Sequence, residues 1–378
     1  MTTVKILEAV AGLIIILLAF YDLFQSVVLP RPAVNKVSMG RLIVRPLWRV
    51  WRWLSRRTSR VETSEARLAA FAPLALLLVF GVWALALILG FGLVAHGLAD
   101  EFHPVPPDLA TSVYVSATTL VPLSYGDFVP EGVAARLLII AESATGVALA
   151  ALAITLLFSL YESFRSREEM VIALDAMAGA PPSGVQILET VAEHRMRSEL
   201  KETFDEWRKW SAMVLESHLA YPLLVYFRST HDNEAWVNSF GAVMDAAVLV
   251  MSAVEDDSIG PAKLMFRVGN HLVEDLSWFF GFKSSGDAIV EKEEYQQAVE
   301  RLTKAGYRFK SVDAGWKQFS ELRSKYASPI NQMANQLAIT PAQWIGDRSY
   351  LPHRQSRSLR PRRRSQPSDV PSPRRGEG

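Results

Sequence analysis

Residues 118–130 read TTLVPLSYGDFVP, and the fold turns on how this stretch is disposed. It is led in by HPVPPDLATSVYVSATTLV, residues 103–121. Pro106 and Pro107 punctuate a turn, and Asp108 can N-cap a helix over Leu109 to Leu120. Such a helix is too short to cross a bilayer, which takes about 20 apolar residues. A short helix, then Ser124-Tyr125-Gly126-Asp127, then a return span is the layout of a loop that enters the membrane and leaves by the same side.

Three apolar runs surround this loop. They cover roughly Ile6 to Leu29, Leu68 to Leu98 and Val133 to Tyr161, and each is long enough to span as a helix. A cleaved leader fits the first run poorly, because the run is long and no small-residue cleavage site follows it. Half of the 378 residues are hydrophobic, and there is no cysteine, so disulfides, thiolate metal sites and cysteine nucleophiles are excluded. The expected class is an all-α membrane protein with three transmembrane helices, a re-entrant short helix and loop, and a helical cytosolic domain. The expected divisions are an N-terminal span (1–30), a basic loop (31–66), a pore module (67–162, loop 108–130, inner helix 133–161), a helical domain (163–350) and a tail (351–378).

Charge sets the expected orientation. The first loop carries Arg31, Lys36, Arg41, Arg45, Arg49, Arg52, Arg56, Arg57 and Arg60, whereas residues 99–132 hold acids and no lysine or arginine. The positive-inside rule puts the first loop in the cytosol, with the N-terminus and residues 99–132 outside and the C-terminus cytoplasmic, in a multi-pass protein of the cell membrane. In RPLWRVWRWLSRR, Arg45, Arg49, Arg52 and Arg56 fall on one helical stripe with Trp48 and Trp51 beside it. That composition suits a helix lying on the inner surface, its arginines toward anionic headgroups.

Residues 68–162 resemble the pore module of the potassium-channel superfamily, with PLSYGD where the family usually has TVGYGD. The resemblance implies four copies of an extended loop whose backbone carbonyls replace the hydration shell of a permeant monovalent cation, K+ in the family. No other metal or cofactor is implied. The filter would be Pro122, Leu123, Ser124, Tyr125, Gly126 and Asp127. Tyr114 would hold Asp127 from behind, Thr118 and Pro130 would support the loop, and Gly146 matches the glycine at which inner helices bend. One loop per chain and no internal repeat imply a homotetramer.

Two departures bear on selectivity. Pro122 removes the hydroxyl that a threonine would give the innermost ion site. Ser124 must either take a positive φ, at about 1–2 kcal/mol, or turn its carbonyl away. Glu142, mid-span, must face protein or a water-filled cavity. It could repel anions, hydrogen-bond behind the filter at Thr118, or tie one helix to another.

The C-terminal half reads as helices, with breaks expected near Pro222, at GPAK (260–263) and at KSSGDA (283–288), and a helix pattern over 290–325. The apolar EAWVNSFGAVMDAAVLVMSAV (234–254) is expected to be buried rather than spanning, because Asp245 lies in its middle. No glycine-rich nucleotide fingerprint, nucleophile–base pattern or nucleic-acid signature is evident, so an enzyme is not expected and the cytosolic ligand is open. His271, Glu274 and Asp275 share a helix face, and His194, His218 and His231 are scattered; ordinary polar surface is the expectation for both sets. Residues 353–378 have little to bury and are expected to be disordered. The expected function is a tetrameric cation channel regulated by its cytosolic domain. The alternative is a membrane-anchored sensor or scaffold with a degenerate pore that is non-conducting or weakly selective.

Overall fold

The computed structural model describes residues 3–28, 39–57, 61–229, 235–254, 258–309, 311–342 and 344. Residues 29–38, His231 and the tail 351–378 lie outside that set. The chain is a membrane-spanning all-α protein, and among the described residues three helices are long and apolar enough to cross a membrane: α1 (Thr3–Leu23, continued by a π turn Phe24–Val28), α3 (Val61–Gly97) and α5 (Val133–Ala178).

Helices α1 and α3 meet where both lack a side chain. A Cβ on Gly12 would sit 2.5 Å from the Gly90 carbonyl oxygen, and one on Gly90 would sit 2.7 Å from Ile16 Cγ1. Small residues let membrane helices approach closely, and polar side chains then bridge them. The acids that interrupt the first apolar run do this. Glu8 Oε2 lies 2.7 Å from His96 Nδ1, and the buried Asp22 accepts from Trp83 Nε1 at 2.8 Å. Lys5 Nζ, 3.5 Å from Asp100, puts the start of α1 at the loop end of α3.

Helix α2 (Met39–Arg56) has two unlike faces. On one, Trp48 is buried between Phe71 and Tyr226, with ring centroids 4.8 and 5.3 Å away, and its Nε1 donates to Gln336 O at 2.9 Å. Arg45 Nη2 donates to Phe279 O at 2.8 Å, and Arg52 Nη1 donates to Asn335 O and Gln336 O at 3.3 Å. Those carbonyls end helices α9 (Ile259–Phe280) and α12 (Ala327–Gln336), where acceptors are left over and cations are favoured. The expectation that Arg45 and Arg52 reach lipid headgroups is therefore corrected: helix C-termini hold both. Arg49 points away, exposed beside Leu42, Val50 and Trp53, and Arg57 stacks on Trp53 at 3.6 Å. The Arg56 side chain lies outside the described set.

The inner helix α5 does not stop at Tyr161. Hydropathy falls there, but the first helix breakers are Gly179, with φ 74°, and Pro181, so the helix runs unbroken to Ala178. Its last four turns pack into a C-terminal domain of α6 (Gly184–Glu193), α7 (Arg197–Ala220), α8 (Trp236–Ser252), α9, α10 (Lys292–Lys304), α11 (Val312–Arg323) and α12. The break between α6 and α7 comes at Arg195, with φ 58°, ahead of the one at Pro222. Gly260 and Pro261 lie inside the first turn of α9, where proline needs no donor, so the break precedes GPAK. The pattern over 290–325 is two helices, α10 and α11.

Helix α8 is the buried centre of this domain, and its one acid is fully engaged. Asp245 accepts from Arg323 Nε and Nη2 at 2.9 and 3.2 Å and from Tyr326 Oη at 2.5 Å. Burial, then the Asp245 charge, pushes the Tyr326 hydroxyl well above its usual range.

Candidate functional site

The re-entrant loop is built from its ends inward. Helix α4 (Leu109–Leu120) is started by Asp108, whose Oδ1 accepts from Thr111 N at 2.8 Å and Thr111 Oγ1 at 2.7 Å. Two short strands close the loop, β1 (Phe102–His103) antiparallel to β2 (Val129–Pro130). Glu101 then fastens the return: its carbonyl accepts from Glu131 N and Gly132 N at 2.8 and 3.2 Å, and its Oε2 accepts from Ala135 N at 2.9 Å. A carboxylate on the free N–H groups at the start of α5 is favourable. Sequence reading missed Glu101, because the helix it serves begins more than thirty residues later. Arg136 Nε donates to Pro130 O at 3.2 Å.

Between these ends the chain leaves α4 and turns back along it. The Thr118 carbonyl accepts from both Leu123 N, at 3.0 Å, and Ser124 N, at 3.4 Å. The Thr118 hydroxyl donates to Val115 O at 3.0 Å, so Thr118 meets the loop through its backbone. Ser124 has φ 49° and Gly126 φ 77°, with Tyr125 between them in the ordinary half of φ space. Ser124 thus takes the strained option rather than avoiding it. The Tyr114 hydroxyl hydrogen-bonds Asp127. Residues 121–127 are all exposed in the single chain, Tyr125 to 66%.

Helix α5 touches the end of the pore helix at two points, each one turn apart on both helices. Glu142, fully buried, contacts the hydroxyl of Ser116, whose Oγ also lies 2.9 Å from Ile88 O on α3. The partner is Ser116 and not Thr118; Thr118 gives its hydroxyl back to its own helix. Four residues on, a Cβ at Gly146 would overlap the carbonyl oxygen of Leu120. Gly146 therefore lets the pore helix end against the inner helix, a packing reason for glycine that bending does not require. Helix α5 is continuous through it.

The far end of α5 is held through Arg167. It is fully buried, and donates to Glu168 Oε1 at 2.9 Å, Leu224 O at 3.1 Å and Phe227 O at 2.7 Å. His218 Nε2 lies 3.4 Å from Arg167 Nη1, while His218 Nδ1 lies 2.8 Å from Val214 O. A neutral imidazole with its hydrogen on Nδ1 satisfies both contacts. Burial, then the Arg167 charge, lowers the His218 pKa from 6.5 to about 3. The folded form thus resists a proton that the unfolded chain takes up below 6.5, so stability is lost as pH falls through that value. Between pH 6.5 and 5 the C-terminal domain is expected to lose about 2 kcal/mol by this route. Thermal melts across that range check it; in His218→Gln the pH slope should flatten, and an unchanged slope would refute the assignment.

The polar face at His271, Glu274 and Asp275 does not converge on one point. His271 Nε2 pairs with Asp275 at 3.4 Å while Glu274 accepts from Asn270 at 2.6 Å. Among the described residues, no group of three or more His, Asp or Glu side chains is placed to hold a metal ion.

Residues 76–163 match the family described as Ion channel, a two-transmembrane, potassium-channel-like pore module. The match runs from the outer helix through the loop to the inner helix, so the chain carries an ion-channel pore module. No curated protein and no solved structure matches the chain.

Proposed function

We propose that this pore module belongs to one subunit of a homotetrameric cation channel of the potassium-channel type. The subunit lies in the cell membrane with its loop and N-terminus outside and its C-terminal domain in the cytosol. The observation that carries the reading is the pair of positive φ values at Ser124 and Gly126 on a loop that a single chain leaves bare. Left-handed residues in alternation are what successive carbonyls need to face one axis. A serine accepts that conformation only where the surroundings impose it. Four loops around the axis would cover the exposed Leu123 and Tyr125 and offer the carbonyls of Pro122, Leu123, Ser124 and Tyr125 to a dehydrated ion.

Pro122 gives the innermost position a carbonyl without a hydroxyl, so that site is the weakest of the row. Gating moves α5 against the pore helix at Gly146. The C-terminal domain regulates it through the unbroken helix and Arg167. The exposed face of α2, with Leu42, Arg49, Val50, Trp53 and Arg57, meets anionic lipids of the inner leaflet.

Potassium and sodium flux through purified full-length protein in liposomes tests this reading. Wild type should pass potassium, and Gly126→Ala should abolish flux with the assembly intact, since a side chain at φ 77° costs about 1–2 kcal/mol in each of four loops. The strain at Ser124 and the missing threonine favour a second reading, a scaffold that does not conduct. Silence in wild type and in Pro122→Thr with Ser124→Gly would establish that one instead.

A further inference from the structure

Ser116 has more hydrogen-bond contacts than hydrogens. Its Oγ lies 2.9 Å from the Ile88 carbonyl oxygen on α3 and also within hydrogen-bond contact of Glu142 Oε1 on α5. A hydroxyl donates one hydrogen, and a peptide carbonyl has none to give. With the Ser116 hydrogen on Ile88, the contact to Glu142 is a hydrogen bond only if the carboxyl brings its own.

The surroundings point the same way. Glu142 has no exposed surface within a single subunit, so neither lipid nor a neighbouring subunit reaches it. Its Oε2 has no hydrogen-bond partner among the described residues. Among the described residues, Ser116 is its one hydrogen-bond partner, and no basic side chain pairs with it. A carboxylate in such a place would be a buried charge met by one neutral hydroxyl, whereas a carboxylic acid leaves only a carbonyl-type oxygen unpaired.

We propose that Glu142 is a neutral acid whose O–H donates to Ser116, which donates in turn to Ile88. It is a positioning residue that fixes the pore helix between outer and inner helices. The relay crosses all three elements of the pore module. Beside it, Gly92 lets α4 close on α3, since a Cβ there would sit 2.9 Å from Val113 Cα. Two residues beyond Ser116, the Thr118 carbonyl holds the N–H groups of Leu123 and Ser124. A pore helix that shifts therefore shifts the filter with it. The proton on Glu142 follows from its hydrogen bonds and its burial; its effect on conduction rests on the channel reading above.

The test begins with infrared difference spectroscopy of the full-length protein in lipid, wild type minus Glu142→Gln, at neutral pH. A protonated-carboxyl C=O stretch present in wild type and missing from the variant is the expected result. No such band overturns the proposal, and this readout needs no ion flux. In Ser116→Ala the band should persist and move to higher frequency as the acid loses its acceptor, so the proton can be assigned even where Glu142→Gln fails to assemble. An unmoved band would overturn the relay.

Flux tests the positioning role. Glu142→Ala should lose roughly tenfold or more, as expected when a buried hydroxyl is left with an empty site beside it. Glu142→Gln, whose amide N–H can donate to Ser116, should restore it to within about twofold. Equal loss in both variants would overturn the role. A silent wild type that still shows the band would sink the channel reading and leave the proton in place.

Discussion

Gly146→Ala should destabilise the pore module, by roughly 1–3 kcal/mol per subunit, and silence it. The added Cβ lands on the Leu120 carbonyl oxygen, and its next neighbours are the carbonyl carbon and Cα of the same residue. Backbone cannot rotate away as a side-chain tip can, so α4 and α5 must separate or the helix must bend. The sign is what separates explanations. A glycine kept only for bending would be replaced by a better helix former, and alanine would stabilise by about 1 kcal/mol. Thermal melting of the assembled protein in lipid or detergent reads the sign directly. A rise in melting temperature with gating slowed would favour the hinge and remove the packing account; a fall with flux lost is the result the contact requires.

Arg167→Met should cost about 3–5 kcal/mol and loosen the C-terminal domain from the inner helix. Methionine fills much of the volume, but it leaves Glu168 a buried, unpaired carboxylate. It also strips the Phe227 carbonyl of the Arg167 donor and leaves the Leu224 carbonyl with the Phe227 N–H alone. Lysine is not a substitute, because one ammonium cannot reach three acceptors set out for a planar fork. Limited proteolysis at the Gly179–Ser183 link, with thermal melts, measures the effect. Faster cleavage and a lower melting temperature are expected. Arg167→Met with Glu168→Gln should recover part of the loss, since the orphaned charge is then gone. Cleavage and melting unchanged from wild type would show that Arg167 does not join the two parts.

The legible parts of this chain are those with local causes. The pore helix could be bounded from Asp108 and from the turn chemistry around it, because an N-cap acts over three residues. The strain at Ser124 could be anticipated from the need for left-handed residues. What periodicity cannot supply is the partner of a face. The arginines of α2 do fall on one side, but Arg45 and Arg52 meet helix ends drawn from residues 279 and 335–336, far away in sequence. Glu142 was visible as an ionisable group in a span, while its choice of Ser116 over Thr118 depends on how α4 is rotated. The overlong inner helix was hidden by reading hydropathy where helix breakers were the better guide. Arg167 left a usable signal: it stands at a core position on the line Leu160, Phe164, Val171, Leu174 and Ala178, whereas Arg165, two residues earlier, is exposed and pairs with Glu169.

The central claim is that residues 118–130 present backbone oxygens to a dehydrated cation at a shared axis. A structure of the assembled protein in thallium, a heavy monovalent ion close in size to potassium, tests it in one measurement. The account predicts four chains around that axis, with ion density in a row beside the carbonyls of Leu123, Ser124 and Tyr125. Density that avoids the loop, a single chain, or Tyr125 facing lipid on an ordinary helix would contradict it.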